Sequence, residues 1–302
     1  MEKTAIVQLT PLDGIRYFTP QPGYVLTGRD GRVNIPWDGK PPLPLLEEDF
    51  NKLADGGAPD YDMVGRGIYQ ALRINPEFVG AAEYAEVLKD AYPHVVSELG
   101  GQIIMLDAKE VDTPYLDRKI NLLKIMMLFE PDNAGLCLEV ARTFVEKGSR
   151  LATLNQAVSS WYGAEQYLQQ SLGLDPSNHI AAYEFGEALY ILGRYEQAVE
   201  EWVKVLDHLD QGGKAKVEAR IAAILAGKLP LVPPIDYLCA LSVAVEEHHV
   251  GHNDEAAAII EDILADPVFS AQFPVNEINY FLGTCYQEMG MVEEASAAFK
   301  KS

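Results

Sequence analysis

Between Val245 and Asp254 the chain reads VEEHHVGHND, which sets His248, His249 and His252 beside Glu246, Glu247 and Asp254. Imidazole and carboxylate are metal ligands, and ligands three or four residues apart converge on one face of a helix. His248 and His252 are four apart, His249 and His252 are three apart, and Glu246 with His249 makes one E-x-x-H of the kind a di-iron bundle uses twice. No second E-x-x-H stands in a matching register. Gly251 falls where a helix should turn, so the spacing to His252 loses its helical meaning. The expectation is therefore no metal site: His248 and His249 end one helix, where they suit the macrodipole, and HNDEA starts the next with Asn253 or Asp254 as its cap.

Other chemistry is equally sparse. The sequence contains no GxxxxGK[ST], no GxGxxG between strand and helix, no HExxH and no GxSxG. Acidic residues alternate with apolar ones as on solvated helical faces. Cys137, Cys239 and Cys285 are far apart and outside any CxxC, a pattern that fits buried thiols in a reducing compartment. No catalytic residue and no cofactor are expected, and the chain reads as a non-enzyme. A formal charge of −21, from 24 Lys and Arg against 45 Asp and Glu, argues against nucleic acid and anionic membranes and favours basic or apolar protein partners. No run approaches the roughly 18 apolar residues of a membrane span, so a cytoplasmic protein is expected.

The elements that would position any site fall into two parts. Residues 1–57 hold β-type segments, IVQL, IRYF and GYVLTGRDGRVNIPW, with GRDG as a hairpin turn. Pro36, Pro41, Pro42 and Pro44 then predict an extended, partly polyproline connector. From residue 58 to 302 the apolar residues recur with helical period in thirteen segments broken by Gly, Pro, Asn and Asp, which predicts antiparallel helix pairs.

Two of those pairs repeat. NYFLGTCYQEMGMVEEASAAF carries Leu282, Gly283, Tyr286, Gly290, Ala295 and Phe299, and AYEFGEALYILGRYEQAVEEW carries Phe185, Gly186, Leu189, Gly193, Ala198 and Trp202 in the same order. Both resemble the tetratricopeptide repeat, a helix-turn-helix unit of about 34 residues. Gly186 and Gly283 let paired helices approach, Ala198 and Ala295 fill the facing contact, and Gly193 and Gly290 make the turn. A fainter copy places Ala141, Phe144 and Gly148 at the small, aromatic and turn positions. The resemblance implies an all-α, right-handed superhelix of antiparallel pairs behind a short β segment, with its clearest repeats at 133–176, 179–210, 235–266 and 276–302. Spacings of 45, 58 and 39 residues between Ala141, Gly186, Ala244 and Gly283 depart from a strict array. The first excess would lengthen the helix that starts in RLATLNQ, and the second makes room for an inserted helix at about 212–227.

In that family the first helix of each pair lines a concave groove. The resemblance carries this role onto Gly135, Leu138, Arg142, Val145 and Glu146, then Ile180, Tyr183, Glu187, Tyr190 and Ile191. It continues through Leu238, Leu241, Val245, His248 and His249 to Glu277, Tyr280, Thr284, Gln287 and Glu288. Only Arg142 suits a clamp for a peptide carboxylate, so the groove fits an apolar or basic segment instead. The function implied is a non-catalytic scaffold or adaptor within a larger complex, with a secretion or assembly chaperone and an accessory subunit of an enzyme as alternatives.

Overall fold

The computed structural model describes residues 11–28, 31–32, 34–53, 57–92, 94–108, 114–273 and 275–302. The strand expected in IVQL and the Arg29–Asp30 centre of the hairpin turn lie outside them. Among the described residues helix dominates, with four short strands toward the N-terminal end. The chain divides into two compact units, Met1–Leu136 and Cys137–Ser302.

The first unit contains β1 (Ile15–Phe18), β2 (Val25–Thr27), β3 (Asn34–Pro36) and β4 (Leu43–Leu46), then α1 (Glu47–Lys52), α2 (Tyr61–Ile74), α3 (Ala81–Ala91), α4 (Val95–Asp107) and α5 (Pro114–Phe129). β2 and β3 pair antiparallel, Leu26 opposite Ile35, as the GRDG signal implies. The proline-rich connector departs from expectation because its end is a strand: β4 pairs with β1, and Pro44 faces Tyr17. A two-stranded sheet has only edge strands, so a proline there breaks no interior ladder. The free carbonyls beside the prolines are taken up by aromatic donors, with Trp37 Nε1 donating to Pro41 at 2.7 Å and Tyr84 Oη donating to Pro42.

Leu43 and Leu45 are fully buried and share one core with Ile68 and Leu72 of α2, Leu88 of α3, Leu99 of α4 and Ile125 of α5. That shared core makes the β-containing segment part of the first unit. α2 crosses β4 at Gly67, where a Cβ would fall 2.0 Å from the Pro44 carbonyl oxygen. α1, too short to show helical period, is held by fully buried Asp49, which accepts from Lys52 at 2.9 Å and from Arg66 of α2 at 2.9 and 3.2 Å. The Lys52 hydrogen bond, helped by Arg66, keeps the Asp49 carboxyl below the usual range despite its burial.

The second unit opens within α6 (Ala134–Ser149). A 3-10 turn (Leu151–Gln156) leads into α7 (Ala157–Leu174), followed by α8 (His179–Ile191), α9 (Tyr195–Val205) and α10 (Gln211–Leu225). α11 (Pro234–His249), α12 (Asn253–Leu264), α13 (Pro267–Gln272), α14 (Asn276–Glu288) and α15 (Val292–Phe299) complete it. The small residues do the work their spacing implies. A Cβ on Gly186 would lie 2.4 Å from the Trp202 indole nitrogen, and one on Gly283 would lie 2.5 Å from the Phe299 ring. Gly193 turns α8 into α9 at φ +77°, with its own N–H and that of Arg194 donating back to Tyr190 and Leu189.

Three details differ from the sequence reading. Gly148 stays inside α6, where the Trp161 indole lies over it; a Cβ there would meet that ring at 3.0 Å. The RLATLNQ stretch forms a separate 3-10 turn that packs along α11. α13 was not anticipated, since six residues behind a proline carry no periodicity and its start depends on Asp266 as cap.

Gly67→Ala should lower the stability of the first unit by about 3 kcal/mol in urea unfolding, because backbone must give way and this outweighs the helix propensity gained. An unchanged midpoint would contradict the close α2–β4 packing.

Candidate functional site

The second unit holds an open cavity of about 800 Å³, and the first helices of the four pairs face it. α6 contributes Arg142, Val145 and Ser149, and α8 contributes Tyr183, Glu187 and Ile191 at i, i+4 and i+8. α11 adds Pro234, Leu238 and Leu241, and the start of α14 adds Asn276, Glu277 and Ile278. Elements outside the regular repeat close it: Leu151 and Leu154 from the 3-10 turn, Lys216 and Arg220 from α10, Phe269, Gln272 and Phe273 around α13.

Most charges at its wall are already paired. Arg142 meets Glu184 through Nε at 2.9 Å and Nη2 at 2.8 Å, and Glu139 through Nη1 at 2.9 Å. Arg220, nine-tenths buried, donates to both Glu187 oxygens at 2.7 and 2.8 Å, and its guanidinium lies 4.9 Å from the Tyr190 ring centre. With these pairs neutralised, the interior presents aromatic and aliphatic side chains, and Lys216 and Glu277 stand exposed at the wall.

One buried carboxylate shapes the far wall. Asp266 accepts from Leu231 N at 2.7 Å, Tyr237 Oη at 2.6 Å, Val268 N at 2.8 Å and Phe269 N at 3.2 Å. It thus caps α13 and ties the loop before α11 to it, which sets Pro234, Phe269 and Phe273 on the cavity. Burial pushes the Asp266 carboxyl upward, but the Tyr237 hydroxyl and the three N–H donors outweigh it and hold it below the ordinary range. Burial and Asp266 together push Tyr237 up to about 12.

Of the groove positions implied by the resemblance, Arg142, Val145, Tyr183, Glu187, Ile191, Leu238, Leu241 and Glu277 line this cavity. Tyr190 does not: it is buried, donates to Gln272 Oε1, and is packed among Tyr195, Trp202 and Phe273. Leu138 is buried within α6. Ile180, Gly135, Glu146 and Val245 lie away from the cavity, as do Tyr280, Thr284, Gln287 and Glu288. Tyr280 is exposed with its ring against Phe299. Arg220 was missed, although a basic residue on the same helical stripe as Val217, Ile221 and Ile224 is the signal that marks it.

The histidines separate as Gly251 implies. Its φ of +88° ends α11 after His249, and His252 N donates back to Glu247 O. His248 Nδ1 meets Asn253 Oδ1 at 2.6 Å, His249 is exposed, and His252 Nδ1 meets Glu247 at 2.7 Å. Asn253 is therefore the first residue of α12, bonded to His248, and His252 is its cap position without a side-chain cap bond. Glu247 draws the His252 pKa upward. None of the three lines the cavity, and among the described residues no group of three or more His, Cys, Asp or Glu could hold a metal ion.

Paired helices meeting through Gly186 with Trp202 and Gly283 with Phe299, and a cavity on their first helices, give the second unit a tetratricopeptide-type repeat architecture. The family model described as tetratricopeptide repeat matches residues 277–302, the α14–α15 pair. No curated protein matches the sequence. Similar solved structures include MamA, 18% identical over 68% of this chain and 90% of that chain with a TM-score of 0.25. Another is the human IFIT1 dimer with PPP-AAAA, 15% identical over 83% of this chain and 60% of that chain with a TM-score of 0.35. Repeats of this type are in general non-catalytic interaction modules. No described helix is long and apolar enough to cross a membrane.

Asp266→Ala should destabilise the second unit by about 3 kcal/mol at neutral pH, since buried donors lose their acceptor. Because the folded carboxyl titrates below its unfolded value of about 3.9, its stabilisation is complete above that pH and lost as pH falls through the folded value. The gap between the two proteins in urea melts should therefore close in acid; a gap independent of pH would contradict an ionised Asp266.

Proposed function

We propose that the protein is a non-catalytic scaffold that holds a segment of a protein partner in the second-unit cavity. The observation that carries this reading is the cavity itself: about 800 Å³, walled by first helices of four repeat pairs, with its two arginines already paired and its interior left to Tyr183, Leu238, Leu241 and their neighbours. An apolar recess of that size in a folded protein marks a binding site. The partner segment is apolar with basic flanks, because the chain carries a formal charge of −21 and Glu277 stands exposed at the wall. Free thiols at Cys137, Cys239 and Cys285 support a reducing compartment such as the cytoplasm.

Photo-crosslinking in the native cell tests this. A benzophenone side chain at Tyr183 or Leu238 should yield a discrete protein adduct, and one at exposed Val203 of α9 should not. Tyr183→Ala with Leu238→Ala should then weaken binding of the captured protein roughly tenfold or more. Adducts from Val203 alone, or none from the cavity positions, would remove the cavity from the account.

A further inference from the structure

α10 interrupts the order of the repeats. In a stack of helix pairs, the second helix of one pair is covered by the first helix of the next. α7 is covered this way by α8, and α12 by α14. α9 is covered by α10 instead, and α11 runs along the 3-10 turn and α7. The inserted helix therefore sits where the first helix of a following repeat would stack.

Its hold there is slight. Only Val217 and Arg220 of its fifteen residues are buried. Ile221 and Ile224 are half-buried against the cluster that contains Tyr190 and Trp202. The polar hold is the paired contact of Arg220 with Glu187, its stacking over Tyr190 and Trp202, and an exposed bridge of 2.9 Å from Lys214 to Asp207. Gly212 and Gly213 form the first turn of α10, capped by Asp210, which accepts from Gly213 N at 2.7 Å, and Gly227 follows its last turn, so the ends are held by bonds local to the helix and not by its seat. A helix with two buried side chains and one buried charged latch belongs to the least stable part of a fold.

We propose that α10 is a displaceable occupant of this seat, and that the partner segment replacing it is a basic amphipathic helix with aliphatic residues at i, i+4 and i+7 and an arginine at i+3. The proposal rests on the partner-binding reading and names the occupant. α10 itself supplies the template: Val217, Ile221 and Ile224 are the aliphatic set, and Arg220 is the arginine that meets Glu187. A helix from outside must reproduce those contacts, since Glu187 left beside Tyr183 and Tyr190 without a cation is costly. The acidic surface of the chain draws a basic helix toward the seat. Displacement also removes Lys216 and Arg220 from the cavity wall, which joins the cavity to the vacated seat.

Hydrogen exchange on the full chain gives the first test. Amides of α10 should exchange roughly tenfold or more faster than those of α8 and α9, and Arg220→Ala should speed α10 alone. A labelled synthetic peptide of residues 211–226 gives the second. It should bind the Arg220→Ala chain roughly tenfold tighter than the unaltered chain, because the competing helix is unlatched. Binding should disappear when the peptide's own arginine is changed by Arg220→Glu. Exchange of α10 in step with α8 and α9, equal peptide binding to both chains, or no binding to either would overturn the proposal. Cavity crosslinks without peptide binding would refute the displaceable helix and leave the partner site standing; peptide binding without crosslinks would do the reverse.

Discussion

Trp202 lies against the bare backbone of Gly186, and the rest of the second unit follows from that contact. Any side chain at 186 would drive α9 away from α8, and with it the indole that Tyr190 and the Arg220 guanidinium pack against. The Trp202 ring is fully buried and its Nε1 finds no acceptor among the described residues, a cost of about 1–3 kcal/mol that the packed interface must outweigh. Since the ring fills the space between two helices and still receives Arg220, Glu187 is held at the cavity as a paired carboxylate and not as a free charge. One missing Cβ thus reaches, through three packed side chains, to the chemistry of the cavity wall.

The two units use the same devices to different ends. In the first, Gly67 lets α2 lie on the backbone of β4, and fully buried Asp49 ties α1 to α2 through Arg66. In the second, Gly186 and Gly283 bring paired helices together, and Asp266 ties the loop before α11 to α13. Each carboxylate is buried only because several donors converge on it, which makes it a fixed point for segments that have too few apolar residues to hold themselves. The first unit builds a closed core this way, and the second builds the wall of a cavity.

Much of the helical fold was legible because helical period and breakers state it directly. α2 and α5 run from Tyr61 to Ile74 and from Pro114 to Phe129, where the periodic runs begin and end. Repeat glycines were legible for a related reason: a residue without a side chain, followed at fixed distance by an aromatic one, describes a close helix crossing. The candidate site was legible only in part. Tyr183, Glu187 and Ile191 share one stripe of α8 and reach the cavity, but Tyr190 on the same helix is buried beneath Arg220 and Gln272. Which of two neighbouring stripes stays open depends on what α10 and α13 cover, and neither helix is part of the repeat pattern. Short elements such as α13 carried no period at all, and their existence depends on a cap 29 residues from its partner Tyr237.

By itself the sequence determined the helix pairs, the turn at Gly251 that separates the three histidines, and the acidic net charge. These are local or additive properties, written in spacing, in the residues that can adopt positive φ, and in a sum of charges. Tertiary structure alone decided that the proline-rich connector ends as a strand in the first core, that α11 turns back along the 3-10 turn and leaves α9 to α10, and that elements outside the repeat add walls to the groove. Those outcomes depend on contacts between residues far apart in the chain, such as Glu187 with Arg220 and Leu231 with Asp266, and no local pattern encodes which distant group will arrive.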